Sequence, residues 1–304
     1  MNGFLIIDKP AGITSHDVVA IVRRILKQKK VGHTGTLDPF ATGVLPVALG
    51  EATKIIPYLD ESVKEYRAIM RLGVSTDSQD LTGKIVQQKD EGSITEARVL
   101  EAFAAVTGSI SQVPPMFSAV KQGGVPLYKL ARLGEEVERL PRQIIIHSLS
   151  LNHFQLPFVT FTVRCSRGTY VRTLANDLGD SLGCGAHLVE LRRTRSGSFT
   201  DDNALELEYL QTRFEEGQLS DILISPLQAL AHLPTVTLTE MGAKNVGFGR
   251  SPSEVDYETY PEEGLLEDQT VCLVHGDKLL AIGSSNPSRM PNNEKTIRLL
   301  RVLS

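Results

Sequence analysis

Asp38 stands in a stretch, Gly32 to Gly50, whose other side chains are, His33 apart, small, apolar or hydroxyl-bearing. Pro39 biases Asp38 towards an extended conformation, so a helix does not run through it. Gly32, Gly35 and Gly43 permit positive φ and close approach by a partner. The stretch reads as a rigid turn that presents one acid from a nearly uncharged wall. An isolated Asp-Pro is usually no more than a turn. A lone carboxylate in such a cage, however, suits a nucleophile or charge stabiliser at a sugar carbon, the work carboxylates do in glycosidases. The missing second carboxylate argues against an ordinary two-acid glycosidase; Asp77 and Asp80 could be offered as partners, but nothing in the sequence places them near Asp38. To stay ionised there, Asp38 needs a cation beside it, because desolvation disfavours the charged form.

The elements that must position this acid follow from periodicity and punctuation. A strand over Phe4 to Asp8 is ended by Lys9-Pro10-Ala11-Gly12. Thr14 or Ser15 caps a helix through Val18, Val19, Ile21, Val22, Ile25 and Leu26, apolar at helical spacing. Its end carries Arg23, Arg24, Lys27, Lys29 and Lys30; the helix dipole accounts for two or three of these, and phosphate contact accounts equally well for all five. Glu51 to Leu59 predicts a helix and Tyr66 to Leu72 a strand with Ala68, Met70 and Leu72 on one face. Residues 77–83 read as a polar loop, and Ser93 with Glu96 as a capping box before a helix to about Val106, stopped by Gly108. The segment Pro114 to Lys121 is extended, and Gln122 to Arg142, with Lys129, Arg132 and Arg139 around a short helix near Tyr128, reads either as a mobile RNA-gripping flap or as an ordinary surface helix. Strands over 144–154 and 158–165 lead to Gly168-Thr169-Tyr170-Val171-Arg172-Thr173, then to a helix through Leu174 and Leu178 that Gly183 and Gly185 end, then to a strand over 188–194. The mixture without a regular βαβ repeat predicts an α+β fold on a mixed or antiparallel sheet with flanking helices.

At His232-Leu233-Pro234 the texture changes to short alternating runs, Val236 and Leu238, Val271 to Val274, Leu279 to Gly283 and Ile297 to Leu303, interrupted by the Gly-rich 242–249 and by an acidic surface loop over 254–268. This predicts a large domain, 1–231, with an insertion over 115–142, and a small β domain, 232–304. The chain of 304 residues is 41% apolar and 22% charged, the balance of an ordinary folded protein. No apolar run approaches bilayer length and no signal peptide precedes the first strand, which points to the cytoplasm. Cys165, Cys184 and Cys272 are too scattered for a metal or disulfide framework and read as buried free thiols. A net charge of −4 gives no global nucleic-acid signature, yet residues 1–200 carry +5 and residues 201–304 carry −9, a mildly basic body compatible with RNA.

Every fixed position of the pattern Gly-His-x-Gly-x-Leu-Asp-Pro-x-Ala-x-Gly-x-Leu is met between Gly32 and Leu45, and other motifs agree in order and spacing from Lys9 to about Arg195. In these the sequence resembles the TruB family of RNA pseudouridine synthases. The resemblance implies isomerisation of uridine to pseudouridine at position 55 in the TΨC loop of tRNA, with no protein partner required; the reaction oxidises nothing and carries no group in, so it needs no cofactor and no metal, and the lack of an exposed heptad or long apolar stripe points to a monomer. It implies Asp38 as the catalytic aspartate, Arg172 as its pairing cation, and Tyr66 stacking on the base and serving proton removal. It places Tyr170 and Leu191 along the uracil pocket, His33 against the flipped nucleotide, Lys9 and Pro10 behind the active-site wall, and Lys121 among the substrate-binding residues. Read without the family, Tyr66 is a half-buried strand tyrosine, Arg172 a surface helix residue and His33 a turn histidine. The C-terminal region matches the position of a PUA domain, a small RNA-binding β barrel. Two other readings share these residues: an RNA-binding or tRNA-folding module without catalysis, and the catalytic subunit of guide-dependent box H/ACA particles. The segment 122–142 resembles the insertion of the stand-alone bacterial enzymes.

Overall fold

A computed structural model describes residues 1–261, 264–285 and 296–303 of the chain. Its first thirteen strands are β1 (Gly3–Lys9), β2 (Val31–His33), β3 (Thr42–Leu49), β4 (Val63–Leu72), β5 (Val74–Thr76), β6 (Ile85–Gln88), β7 (Gly108–Gln112), β8 (Lys121–Gln122), β9 (Val125–Pro126), β10 (Arg142–Gln155), β11 (Phe158–Ser166), β12 (Ala186–Ser196) and β13 (Phe199–Thr200). Helices α1 (Ser15–Ile25), α2 (Glu96–Ala105), α3 (Leu127–Arg132), α4 (Val171–Leu182), α5 (Leu207–Glu215) and α6 (Pro226–Ala229) lie between and after them. The main sheet runs β1-β3-β12-β4-β11-β10-β7, with β2 added on β3 and β13 on β12. Its ladders are antiparallel except that β3 and β12 meet in parallel, at Thr42 and Gly43 opposite Arg192 and Arg193. The fold is the mixed α+β architecture that the sequence predicts.

Alternation decides which face is covered. On β4, Tyr66, Ala68, Met70 and Leu72 are buried. They share a core with Val99 and Phe103 of α2, Phe161 and Val163 of β11, and Leu174 and Leu178 of α4. At the other end of the sheet, Val18, Val19 and Val22 of α1 pack on Leu5, Ile7, Leu45 and Val47. Thr14 caps α1 in a capping box with Asp17. The next residue, Ser15, exchanges two hydrogen bonds with Leu37: its Oγ accepts from the Leu37 amide at 2.9 Å and donates to the Leu37 carbonyl at 3.2 Å. The start of α1 is thereby tied to the residue before Asp38.

A second sheet, ordered β15-β14-β16-β17-β18, comprises β14 (Thr235–Leu238), β15 (Tyr257–Thr259), β16 (Thr270–His275), β17 (Lys278–Ser285) and β18 (Ile297–Val302), with α7 (Glu240–Gly247) against it. Among the described residues no ladder joins β15 to β18. Cys272, Val274 and Ile282 of this sheet share a core with Phe4, Ile6, Val44 and Ala48 of the main one.

Several local expectations change. The cap of α2 is Thr95, whose Oγ1 accepts from the Arg98 amide, not Ser93. Residues 50–58 form a 3-10 helix rather than an α-helix, with Pro57, which lacks a donor, inside it. The Gly-rich 242–249 is largely the helix α7: Thr239 caps it, and Gly242 lies so near Asp256 that a Cβ would sit 2.4 Å from that carbonyl. The acidic stretch 254–268 is not all surface loop, since Asp256 is buried, bonded to Ser253 and Asn245, and Tyr257–Thr259 pairs with β14. Glu262 and Glu263 of that stretch lie outside the described residues. The three cysteines are free and buried, and among the described residues no helix is long and apolar enough to cross a membrane.

Candidate active site

Asp38 lies on the loop between β2 and β3, and the loop is clamped from below by Lys9. The Lys9 side chain is fully buried, and its Nζ donates to the carbonyls of Pro10 at 2.8 Å, Pro39 at 3.1 Å and Ala41 at 2.7 Å. The ammonium thus ties the backbone just after the acid to the end of β1. Burial lowers the Lys9 pKa to about 8, with the Asp38 charge opposing that fall. Pro10 is exposed and contributes its carbonyl. Gly43 is needed where the loop rejoins the sheet: its φ is +100°, and a Cβ would sit 2.2 Å from the Arg193 carbonyl of β12.

Arg172 reaches Asp38 from the first turn of α4. Its Nε lies 2.8 Å from Asp38 Oδ2, and its Nη2 donates to Oδ1 at 3.2 Å. The guanidinium is buried and its other donors are placed as well. Nη1 donates to Ser78 O at 2.9 Å and to Asp80 Oδ2 at 3.3 Å, and Nη2 also donates to Phe117 O at 2.8 Å. Arg172 therefore joins the Asp38 loop, the β5–β6 hairpin and the segment before β8. Asp80 is itself buried and held by Ser78 Oγ, Thr82 Oγ1 and the Thr82 amide. Desolvation raises the Asp38 pKa first of all; Arg172 opposes it, the like charge of Asp80 adds to it, and Lys9 opposes it. About a third of the Asp38 side chain, 32%, stays exposed, so the acid is held on its protein side and open on the other.

The remaining residues surround that opening. Tyr66 stands opposite Arg193, and Leu191 opposite Ala68, in the β4–β12 ladder, so period-two alternation puts Tyr66 and Leu191 on one face. Both are 7% exposed. Burial pushes the Tyr66 phenol pKa up, the nearby Arg193 cation working against it and Asp38 with it. Tyr170 caps α4 beside Arg172. Its amide donates to Gln112 Oε1 at 2.8 Å, and Gln112 Nε2 donates to its carbonyl at 3.1 Å, so buried Gln112 of β7 fixes it. Burial likewise raises the Tyr170 pKa. His33 is half-buried; Nδ1 accepts from the Gly35 amide at 3.3 Å, which leaves the proton of the neutral ring on Nε2. Its pKa is lowered by burial and then by the charges of His16 and Arg193, so the ring is neutral at pH 7, suited to stacking. Lys121 stands exposed on the β8–β9 hairpin, and its side chain makes no hydrogen bond or ion pair among the described residues. Of the five cations at the end of α1 and just after it, Arg23 binds the Val31 carbonyl and Lys30 pairs with Glu51, which leaves the side chains of exposed Arg24, Lys27 and Lys29 without a hydrogen bond or ion pair among the described residues. Asp80 and Gln112 are the site residues that sequence reasoning passed over. Asp80 was visible only as one of two loop acids, and Gln112 carried no signal.

Residues 23–171 match the model of the TruB family pseudouridylate synthase N-terminal domain, and residues 172–231 that of the tRNA pseudouridylate synthase B C-terminal domain. The chain belongs to the TruB family. It is 55% identical to the tRNA pseudouridine synthase B of Geotalea uraniireducens, over 99% of this chain and 96% of that one. With the tRNA pseudouridine synthase B of Geobacter sulfurreducens it shares 53% identity over the full length of both. Among solved structures, an H/ACA RNP bound to a substrate RNA containing 2'-deoxyuridine matches at 27% identity and TM-score 0.75, covering 99% of this chain and 85% of that one. A Cbf5-Nop10-Gar1 complex matches at 29% identity with the same TM-score and the same coverage. Asp38 lies in the first matched stretch and Arg172 in the second.

Proposed function

We propose that this chain converts uridine 55 in the TΨC loop of tRNA to pseudouridine, acting alone as a cytoplasmic monomer. The observation that carries this reading is the Asp38–Arg172 pair, an open-faced carboxylate locked by a buried guanidinium within a complete TruB motif. In the reaction the C1′–N1 bond breaks, the uracil turns, and C1′ joins C5. The C5 proton leaves and N1 gains one, so nothing is oxidised. Asp38 supplies the negative charge beside C1′, and Arg172 fixes its direction. Tyr66, Tyr170 and Leu191 hold the detached ring, and Tyr66 serves removal of the C5 proton. Extruding the base from a folded loop costs a few kcal/mol, which stacking on His33 and Tyr66 offsets in part. Lys9 and Pro10 support the wall, Lys121 meets the RNA from the flap over 115–142, and Arg24, Lys27 and Lys29 face its phosphates.

Identity above half over the whole chain with enzymes named for tRNA favours the stand-alone reading over guide-dependent assembly, and the intact pair favours catalysis over a pure folding module. The purified chain alone is expected to form pseudouridine in a T-arm hairpin and none when the target uridine is replaced by cytidine. Turnover that requires added protein or guide RNA would contradict this.

Lys9 makes a pH prediction. Deprotonation through about pH 8 removes one of three donors under the Asp38 loop, so activity falls on that alkaline limb. Stability moves the other way. The unfolded chain binds this proton more tightly, so between about pH 8 and the ordinary lysine value of 10.5 this group makes folding more favourable as pH rises. A Lys9→Arg variant keeps its charge and is expected to lose that limb in a pH–rate profile.

We further propose that residues 1–231 form the catalytic domain and residues 232–304 an RNA-holding, PUA-like unit. Cys272, Val274 and Ile282 cover the face of β1 and β3 that carries Phe4, Ile6 and Val44. Truncation at 231 would uncover that face, so a chain cut there is expected to melt several degrees lower as well as to bind RNA more weakly.

A further inference from the structure

Beside the Asp38 loop lies a second concentration of positive charge, whose part so far is only the effect of Arg193 on the Tyr66 phenol and the His33 ring. Arg193 of β12 is fully buried. Its Nε donates to Val44 O at 2.8 Å and its Nη2 to Gly35 O at 3.2 Å, while Nη1 has no partner. No carboxylate among the described residues forms an ion pair with it. Lys64 of β4, two residues before Tyr66, faces the same side of the sheet and also makes no hydrogen bond or ion pair among the described residues.

The two cations converge above one glycine. Gly35 has φ +144°, and a Cβ there would lie 2.9 Å from Lys64 Nζ and 3.7 Å from Arg193 Nη1. Only the missing side chain leaves room for the ammonium. Glu61 Oε1 comes within 3.6 Å of the same point, is buried and unpartnered, and pairs with neither cation. Burial lowers the Lys64 pKa first, Arg193 lowers it further, and Glu61 opposes them only in part. Two like charges held together in a partly dry place, incompletely neutralised, favour an incoming anion.

We propose that Lys64 and Arg193 form a subsite for one phosphodiester of the RNA backbone, next to the extruded uridine. Lys64 makes the contact, and Arg193 supplies a fixed charge beneath it. The subsite rests on the RNA reading above and deepens it. Its place suits the task, because Gly35 follows His33 by two residues and precedes Asp38 by three, so a backbone threading past His33 to Asp38 crosses it. Arg193 holds Gly35 and Val44, one on each side of Asp38, so a phosphate drawn onto this shelf also braces the loop that presents the acid. Glu61 competes with the phosphate for Lys64.

The test uses the full chain and T-arm hairpins in which one backbone phosphate at a time, around the target uridine, is replaced by a neutral methylphosphonate. Affinity is measured against salt for wild type, Lys64→Gln and Glu61→Gln. For wild type, one linkage beside the target is expected to cost about tenfold when neutralised, the size of one charge-assisted contact. Lys64→Gln is expected to bind the unmodified hairpin about tenfold more weakly, to lose roughly one unit of salt slope, and to be indifferent to that linkage. Glu61→Gln moves affinity the opposite way, which a merely misfolded variant would not do. Wild-type salt slope and linkage sensitivity retained in Lys64→Gln would overturn the subsite. A wild-type protein that binds no T-arm hairpin would defeat the RNA reading itself, and the subsite with it.

Discussion

Asp38→Asn is expected to abolish isomerisation, by a factor on the order of 10⁴ or more, while leaving hairpin binding within a few-fold of wild type. The asparagine fits the same turn, and Lys9 still holds the carbonyls of Pro10, Pro39 and Ala41, none of which belongs to the Asp38 side chain. Arg172 keeps Asp80, Ser78 O and Phe117 O. What disappears is the negative charge beside C1′. The fold is expected to tolerate the change, because desolvation raises the Asp38 pKa and marks its charged form as a burden on folding. That sign is checkable: the unfolded chain is the stronger acid at this residue, so wild-type stability falls as pH rises from the ordinary carboxylate value of 3.8 through the folded one. Asp38→Asn lacks this component in urea melts compared across that range. Loss of binding with activity preserved would defeat the assignment.

Arg172→Met is expected to cost both activity and stability. The guanidinium is buried against two carboxylates and two backbone carbonyls, and its removal takes away the cation that both Asp38 and Asp80 pair with. Breaking a buried ion pair on one side costs roughly 3–5 kcal/mol. Arg172→Lys keeps a charge but cannot span Asp38, Asp80, Ser78 and Phe117 at once, because an ammonium is a point where a guanidinium is a fork. This milder variant is expected to fold, to lose about 10² in turnover, in line with a 1 Å displacement of a catalytic group, and to shift the acidic limb of its pH–rate profile upward. The direction follows from Arg172 being the principal group that holds the Asp38 pKa down. A profile with an unmoved acidic limb would show that Arg172 does not set the ionisation of Asp38.

The parts of the site that local sequence controls were legible in advance. The Asp38 turn depends on Pro39 and on glycines within a few residues, and its chemistry could be read from those residue types. The need for a cation followed from the apolar cage, but its identity did not follow from the residues. Arg172 is 134 positions away and arrives only because α4 packs on the face of β4; the family motif supplied that link. Asp80 escaped because its place depends on a hairpin, β5–β6, whose exposed Ile85 and Val86 break the expected alternation of apolar residues. Thr95 displaced Ser93 as a helix cap because either residue type can do so, and tertiary contacts choose the register. The shelf over Gly35 was hidden for the same reason as Asp80: only the β4–β12 ladder sets Arg193 opposite Tyr66, two residues along β4 from Lys64. The helix α7 shows the limit of texture, since a Gly-rich segment becomes a helix once Thr239 caps it and Asp256 receives Gly242.

The central claim is that a carboxylate on Asp38 breaks and remakes the glycosidic bond. Tritium release from a T-arm RNA labelled at uridine C5, compared between wild type and Asp38→Asn at saturating RNA, tests it most directly. Release is expected from wild type, with nothing added but buffer and salt, and none from Asp38→Asn protein that still binds the RNA. Equal release by both would contradict it, as would none from a hairpin that wild type binds.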